Sequence, residues 1–423
     1  MPVYRLLYSL FGYLVFPATL LRLFWRSRQN PLISEHWQQR LGFIELSQSP
    51  RIWLHAVSVG EAIAAKPLIE ALLLEYPQHK LLITNTTATG YAVTTRFFGG
   101  RVEQCYFPYD LNSIVKRFLS RSMPALFIVM ETEIWPNLLH HCKQRRIPTL
   151  IANARLSERS TKKYSKVLPL ITATLGKVLM IACRNEQDAN NFKMLGATSK
   201  QLEVVGNIKF DVDIKVTNNS HLSLRDHLGE RCKIWVAAST HRGEDEIILG
   251  CFSALKKQHD NLVLVLVPRH PERFNEVFDL CTSSFQTQRR SSNIPFYKNF
   301  EIILGDSIGE MDYWYASADI VFLGGSFSNT GGHNPLEASV YGTPVVTGPT
   351  IFNFEDVYEV LCEAKVAWLE KTPTDLIKRL NLLLNMSEVD TSKLNIRTKK
   401  ILENNRGVTG KLLELSHQAI NSN

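Results

Sequence analysis

No Cys-x-x-Cys pair occurs in this 423-residue chain; its seven cysteines, Cys105, Cys142, Cys183, Cys232, Cys251, Cys281 and Cys362, stand singly. An odd, scattered set argues against a disulfide framework and a thiolate zinc site, and for a reducing compartment. The chain also lacks an arginine-rich tail and any zinc-finger spacing, although its formal net charge is +8. Of the partners that suit a basic protein, nucleic acid is therefore the weakest. An anionic membrane surface and anionic substrates remain. There is no repeat of solenoid period, and 21% charged against 45% hydrophobic residues is the balance of a globular protein. At this length two domains are expected in place of one core.

Long hydrophobic runs are scarce too. The uncharged run from Leu6 to Leu21 has sixteen residues, short of the ~18–20 that span a bilayer. Adding Leu23, Phe24 and Trp25, with Arg22 snorkelling, brings it close. Arg5 precedes the run, and Arg22, Arg26 and Arg28 follow it where a signal-peptide cleavage site would lie, so a cleaved signal is disfavoured. Residues 1–28 are expected to form a membrane anchor or interfacial helix, with a buried N-terminal helix as the alternative. The basic flank favours a cytoplasmic location for everything after it, against an anionic membrane surface.

What is present in abundance is alternation of short apolar strands and amphipathic helices. Strands are predicted over 51–57, 80–85, 126–130, 149–152 and 178–183. After a polar lapse over 204–223 they resume at 233–238, 262–267, 301–304, 319–323 and 343–347. Repeated strand–helix units imply parallel sheets with right-handed crossovers, covered on both faces. The expected fold class is α/β, two Rossmann-like domains facing a cleft. A first domain covers 29–210, a linker 211–220, and a second domain with C-terminal helices 221–423.

Ligands in such sheets bind at the carboxyl ends of the strands, and the chemistry-bearing segments fall there. His55-Ala-Val-Ser-Val-Gly-Glu61 places Gly60 for a tight turn and Glu61 on a first helical turn. The helix dipole would lower the Glu61 pKa and keep it able to accept a proton, or Glu61 and Ser58 are simply capping groups. Met130-Glu-Thr-Glu-Ile-Trp-Pro-Asn137 sets Glu131 and Glu133 after an apolar strand; one is expected to be a cap, and a like-charged pair couples its titrations. Gly206-Asn-Ile-Lys-Phe-Asp211 puts Lys209 at the domain junction. Asp211-Val-Asp213 resembles an acidic metal pair but follows no apolar strand, so it is discounted.

In the second half four strand ends carry Gly, Ser, Arg or His: Ser239 to Glu244, Pro268-Arg269-His270, Gly309-Glu310-Met311, and Gly324-Gly325-Ser326 through Gly331-Gly-His-Asn334-Pro335-Leu336-Glu337. Together they describe a nucleotide site, with Arg269 pairing phosphate. Pro335 opens a helix whose N-terminus faces that phosphate, and Glu337 reaches a ribose hydroxyl. Ser58, Gly60, Ser239, His241, Gly324, Gly325 and Ser326 are further candidate substrate contacts. His241, His270 and His333 lie on separate loops, so no metal is expected.

Segments 55–61, 130–137, 206–211, 267–271 and 331–337, in this order, resemble the bacterial 3-deoxy-D-manno-octulosonic acid (Kdo) transferases over nearly the whole chain. The resemblance implies a GT-B fold and a metal-independent, inverting transfer of Kdo from CMP-Kdo to a lipid A precursor, with no cofactor. It implies that Glu61 is the general base and that Glu131 and Lys209 support the transition state. Pro268, Arg269, Gly309, Glu310, Met311, Asn334, Pro335, Leu336 and Glu337 match its CMP-contacting positions. Alternatives are a nucleotide-sugar 2-epimerase, another lipid-linked glycosyltransferase, and a non-catalytic nucleotide-sugar binder.

Overall fold

The computed structural model describes residues 2–28, 36–46, 49–211, 224–229, 232–292 and 300–421. Residues 212–220 of the expected linker, Asp213 among them, lie outside the described residues. The chain forms two compact units, 1–212 with 405–423, and 213–404.

In the first unit seven strands, β1 (Arg51–His55), β2 (Lys80–Asn85), β3 (Glu103–Tyr106), β4 (Pro124–Met130), β5 (Thr149–Ala154), β6 (Met180–Cys183) and β7 (Leu202–Val204), order as 3-2-1-4-5-6-7. All pair in parallel. β1 is buried along its whole length and β4 is buried at all but one position, as continuous apolar runs must be when helices cover both faces. Trp53 pairs with Leu82 and Phe127 across the sheet and stacks on Phe127 at 3.8 Å between ring centroids. β2 and β3 lie on one side of β1 and β4 to β7 on the other, so the carboxyl ends of β1 and β4 form a topological switch point.

The second unit repeats the plan. β8 (Lys233–Thr240), β9 (Leu262–Pro268), β10 (Thr287–Arg289), β11 (Ile302–Leu304), β12 (Ile320–Leu323), β13 (Val345–Thr347) and β14 (Ala367–Leu369) order as 10-11-9-8-12-13-14. All are parallel, and the strand order reverses at β8. The two sheets match the expected Rossmann-like architecture. Four strands were not foreseen: β3, β7, β10 and β14. They are the four sheet edges, short and partly exposed, where pairing on one side needs no apolar run.

The tail corrects the expected second domain of 221–423. Helix Pro373–Leu384 does pack Leu376, Leu380 and Leu384 into the second core. Helix Val408–Asn421 instead buries Val408, Leu412, Leu415 and Ala419 with Ala64, Leu68 and Leu72 of the first. Asp211 fastens it, accepting from the backbone N–H of Gly407 (2.8 Å) and Thr409 (2.5 Å). Asp211 is thus a cap for this helix rather than a linker residue.

At the other end helix Pro2–Ser27 includes a 23-residue segment, Val3–Trp25, long and apolar enough to cross a membrane, in which Ser9 is the one buried residue. One face docks on the first unit through polar groups. Arg5 donates to Asn112 (3.0 Å) and Asn137 (3.1 Å), Ser9 Oγ donates to Asn137 Oδ1 (2.9 Å), and Tyr13 lies 2.9 Å from the Ser113 hydroxyl. Elsewhere on the helix Leu10, Leu14 and Leu21 are exposed at 67%, 77% and 72%.

Candidate active site

Helix Val59–Glu75 starts where β1 ends, and Ser58 caps it. The Glu61 carboxylate folds back to accept from the Val57 N–H (2.8 Å) and Ser58 Oγ (3.1 Å), while Ser58 Oγ accepts the Glu61 N–H as the cap of this helix. Capping therefore occurs, but it does not set the acidity. Burial, and then the charge of Glu131, pushes the Glu61 carboxyl up to about 8 against the pull of both hydrogen bonds. This overturns the expected lowering by the helix terminus.

Gly60 also has a different role from the one expected. It lies within the helix rather than in a turn requiring glycine, and an added Cβ would meet only ordinary contact, 3.9 Å from Ser58 Oγ. Nothing within the protein demands glycine here; what it does is leave the surface beside Glu61 bare.

Glu131 ends β4 in the left-handed region (φ 56°) and donates its N–H to Ala152 O at 2.9 Å. Such backbone in a non-glycine residue costs of order 1–3 kcal/mol and persists where surrounding structure enforces it. The neighbouring Asn153, also left-handed (φ 52°), accepts the Ile208 N–H at 3.1 Å. Lys209 follows in the short helix Ile208–Asp211. One chain of hydrogen bonds therefore ties Glu131 to the Lys209 segment along the carboxyl edge of the sheet.

Neither Glu131 nor Glu133 is the cap expected of one of them. Asp110 caps helix Pro136–Gln144, accepting from Asn137 N (3.0 Å) and Leu138 N (2.7 Å). Glu133 is pushed up to about 7 by burial, with Glu131 adding to the rise. Three carboxylates thus share this edge. Next to them Tyr164, raised by burial and then by Glu133, ends a helix whose Arg159, Lys162 and Lys163, with Lys166 just beyond, line an open groove. Sequence reading missed this basic stripe, although its i, i+3, i+4, i+7 spacing was its signal. His55 is a core residue, fully buried, stacked on Phe107 and held well below its ordinary pKa by that burial.

In the second unit the organising residue is Glu244, singled out only as the end of a motif. It is buried, and its carboxylate accepts four backbone N–H groups: His241 (2.8 Å), Gly325 (2.7 Å), Ser326 (2.9 Å) and Phe327 (2.8 Å). It clamps the turn after β12 to the turn after β8. Gly324 is required by the close approach, since a Cβ would lie 2.4 Å from Ser239 O. Ser239 itself is left-handed (φ 55°).

This corrects the reading of Gly325 and Ser326 as substrate contacts. Their N–H groups are committed to Glu244, and Ser326 is fully buried, its hydroxyl donating to Leu323 O and accepting from Gly348 N.

Around this clamp the other candidates gather. Pro268 closes β9, and Arg269 N–H donates to Thr240 O (3.0 Å) while its side chain is exposed. Gly309 is exposed and left-handed (φ 85°), with space around it. Glu310 differs from expectation: its carboxylate is engaged by Arg290 (2.8 Å) and Ser307, and the Arg290 hydrogen bond lowers its pKa. Its backbone and Met311 begin helix Met311–Ser317.

The helix expected after Pro335 is only Leu336–Ser339, with Pro335 as its cap and Asn334 Oδ1 accepting the Leu336 N–H (3.1 Å). Four residues supply little dipole. Glu337 is exposed to solvent, yet desolvation by the protein around it raises its carboxyl pKa, with the Arg269 charge opposing. His241 and His333 meet, Nε2 to Nε2, at 3.1 Å. Among the described residues no group of three or more His, Cys, Asp or Glu side chains converges as a metal site.

Residues 35–212 match the family model described as 3-deoxy-D-manno-octulosonic-acid transferase (kdotransferase). The 3-deoxy-D-manno-octulosonic acid transferase of Haemophilus influenzae is 40% identical over 398 residues, 92% of each chain. That of Bordetella pertussis is 35% identical over 318 residues, 72% of each. Among solved structures, a glycosyltransferase from Rickettsia africae superposes with a TM-score of 0.54 at 11% identity, covering 89% of this chain and all of that one, a likeness of GT-B fold alone. With two parallel seven-stranded sheets and relatives matched over most of its length, the chain belongs to the 3-deoxy-D-manno-octulosonic acid transferase family and is a glycosyltransferase.

Proposed function

We propose that this enzyme transfers Kdo from CMP-Kdo to a hydroxyl of a lipid A precursor, with inversion and without a metal ion. The observation that carries the reading is Glu61, a carboxylate at a sheet switch point whose basicity burial has raised to near the working pH. A general base needs that match. Glu61 takes the proton of the acceptor hydroxyl, whose oxygen attacks the anomeric carbon of Kdo. The bond to the phosphate breaks on the opposite side, which inverts the centre, and CMP leaves. Arg269 offsets the charge that the phosphate gains, and Glu131 and Lys209 support the transition state. CMP release that depends on lipid acceptor supports transfer; release or epimerised nucleotide sugar without acceptor argues for the rival chemistries.

Only deprotonated Glu61 is competent, and it is mostly protonated below about 8. Hence kcat/KM should climb with pH and level off above that value. A flat or falling profile between about pH 6 and 9 would remove Glu61 from this role. Full activity in excess chelator is the second expectation, since Arg269 supplies the opposing charge; a strict divalent requirement contradicts it.

The acceptor's phosphates suit the Arg159–Lys166 stripe, and its acyl chains suit a protein seated on the cytoplasmic face of the inner membrane. Helix Pro2–Ser27 lies in the interface plane: Arg5, Ser9 and Tyr13 hold one face on the first unit while apolar side chains enter the lipid. Replacing Leu10 and Leu14 by glutamate should weaken binding to anionic vesicles at least about tenfold and leave CMP affinity unchanged. Undiminished vesicle binding would refute the in-plane seat.

A further inference from the structure

We propose that the His241–His333 imidazole pair is a proton store for the donor phosphate, taking up one proton when transfer converts a phosphodiester into a dianionic monophosphate. The inference rests on the reading that CMP-Kdo binds this edge of the second sheet. His241 follows β8 and His333 lies in the turn after β12, the adjacent strand. The turns these two residues occupy are clamped together by Glu244. Their rings are nearly parallel, centroids 5.3 Å apart, with Nε2 atoms 3.1 Å apart.

That distance limits the protonation states. Two facing nitrogens so close can hold one hydrogen between them, so one ring donates from Nε2 and the other accepts there. The donor ring then has an unprotonated Nδ1. A single proton added at that Nδ1 makes the pair a cation and turns its internal contact into a stronger charge-assisted hydrogen bond. A second would set N–H against N–H. The capacity is one.

The surroundings keep the pair neutral until negative charge arrives. Burial first, then Arg269, His241 and His270, hold His333 down to about 4. His241 is lowered by burial and by His270, Arg269 and Arg273, with Glu244 opposing. The donor phosphodiester carries one negative charge, and the monophosphate product carries nearly two at neutral pH. Each negative charge at contact distance lifts such an imidazole by about three pH units. The single charge of the diester therefore leaves the pair mostly neutral at pH 7.5, and the second charge of the monophosphate draws the proton from solvent. The captured proton offsets the leaving group's charge and departs as CMP departs.

Calorimetric titration of the full chain at pH 7.5, in buffers of differing ionisation enthalpy, measures protons taken up on binding. CMP should bring in roughly half a proton or more beyond its methyl ester, a monoanionic diester. His333→Gln retains an amide able to meet His241 but cannot titrate, and should erase that difference; His241→Gln should do the same. Equal uptake for the two ligands in the unaltered protein overturns the proposal, as does an excess that persists in both variants. Failure of the unaltered protein to bind CMP would instead refute the donor-site reading itself.

Discussion

Replacing Glu61 by alanine is expected to cut the rate of Kdo transfer by about a hundred- to ten-thousand-fold while CMP affinity stays within about twofold. The separation follows from placement. Glu61 belongs to the first unit, and the residues assigned to CMP belong to the second. Alanine also removes the carboxylate that accepts from Val57 and Ser58, costing about 1 kcal/mol of helix capping. Glu61→Gln controls for this, since its amide oxygen can still accept from the Val57 N–H but the side chain cannot take a proton. Both variants should be inactive, with the glutamine variant melting near the unaltered protein. Lost CMP binding in either would undo the assignment, because the defect would no longer be confined to acceptor activation.

The largest structural effect should come from Glu244→Gln. The change is isosteric, yet it aims an NH2 group at backbone N–H donors that now share two carboxylate oxygens. Stranding buried donors costs about 1–3 kcal/mol each, so a loss of ~3 kcal/mol or more is expected. For a unit of this size that is roughly 6–12 °C in the Tm of its transition. The turn from Gly324 to Phe327 would lose its anchor, and CMP affinity should fall by more than about tenfold. Unchanged melting and CMP affinity would show that the clamp neither holds the fold nor shapes the site.

Strands buried on both faces were legible because burial leaves a continuous apolar run, as in β1, β4 and β9. The edge strands β3, β7, β10 and β14 carry no such run and were missed. Helix Val408–Asn421 has the same leucine spacing whichever core it joins, and only the contacts of Asp211 and Leu412 assign it to the first unit. At the site, motifs located Glu61, Glu131 and Arg269, but not how each behaves. A helix N-terminus lowers a carboxyl pKa when solvated; burial beside Glu131 reverses the sign for Glu61. Ser326 looked like a ligand contact because serine beside glycines is common in both roles, and its burial decided for structure. Glu244 and the His241–His333 contact join segments about 80 and 90 residues apart, a pairing that no local spacing encodes.

Mass spectrometry of the lipid product tests the central claim most directly. Purified protein, CMP-Kdo and a lipid A precursor should yield the precursor increased by the mass of at least one Kdo residue, with CMP released in equal amount. CMP released while the lipid mass stays unchanged, or a product that forms equally well with the Glu61→Gln variant, would contradict it.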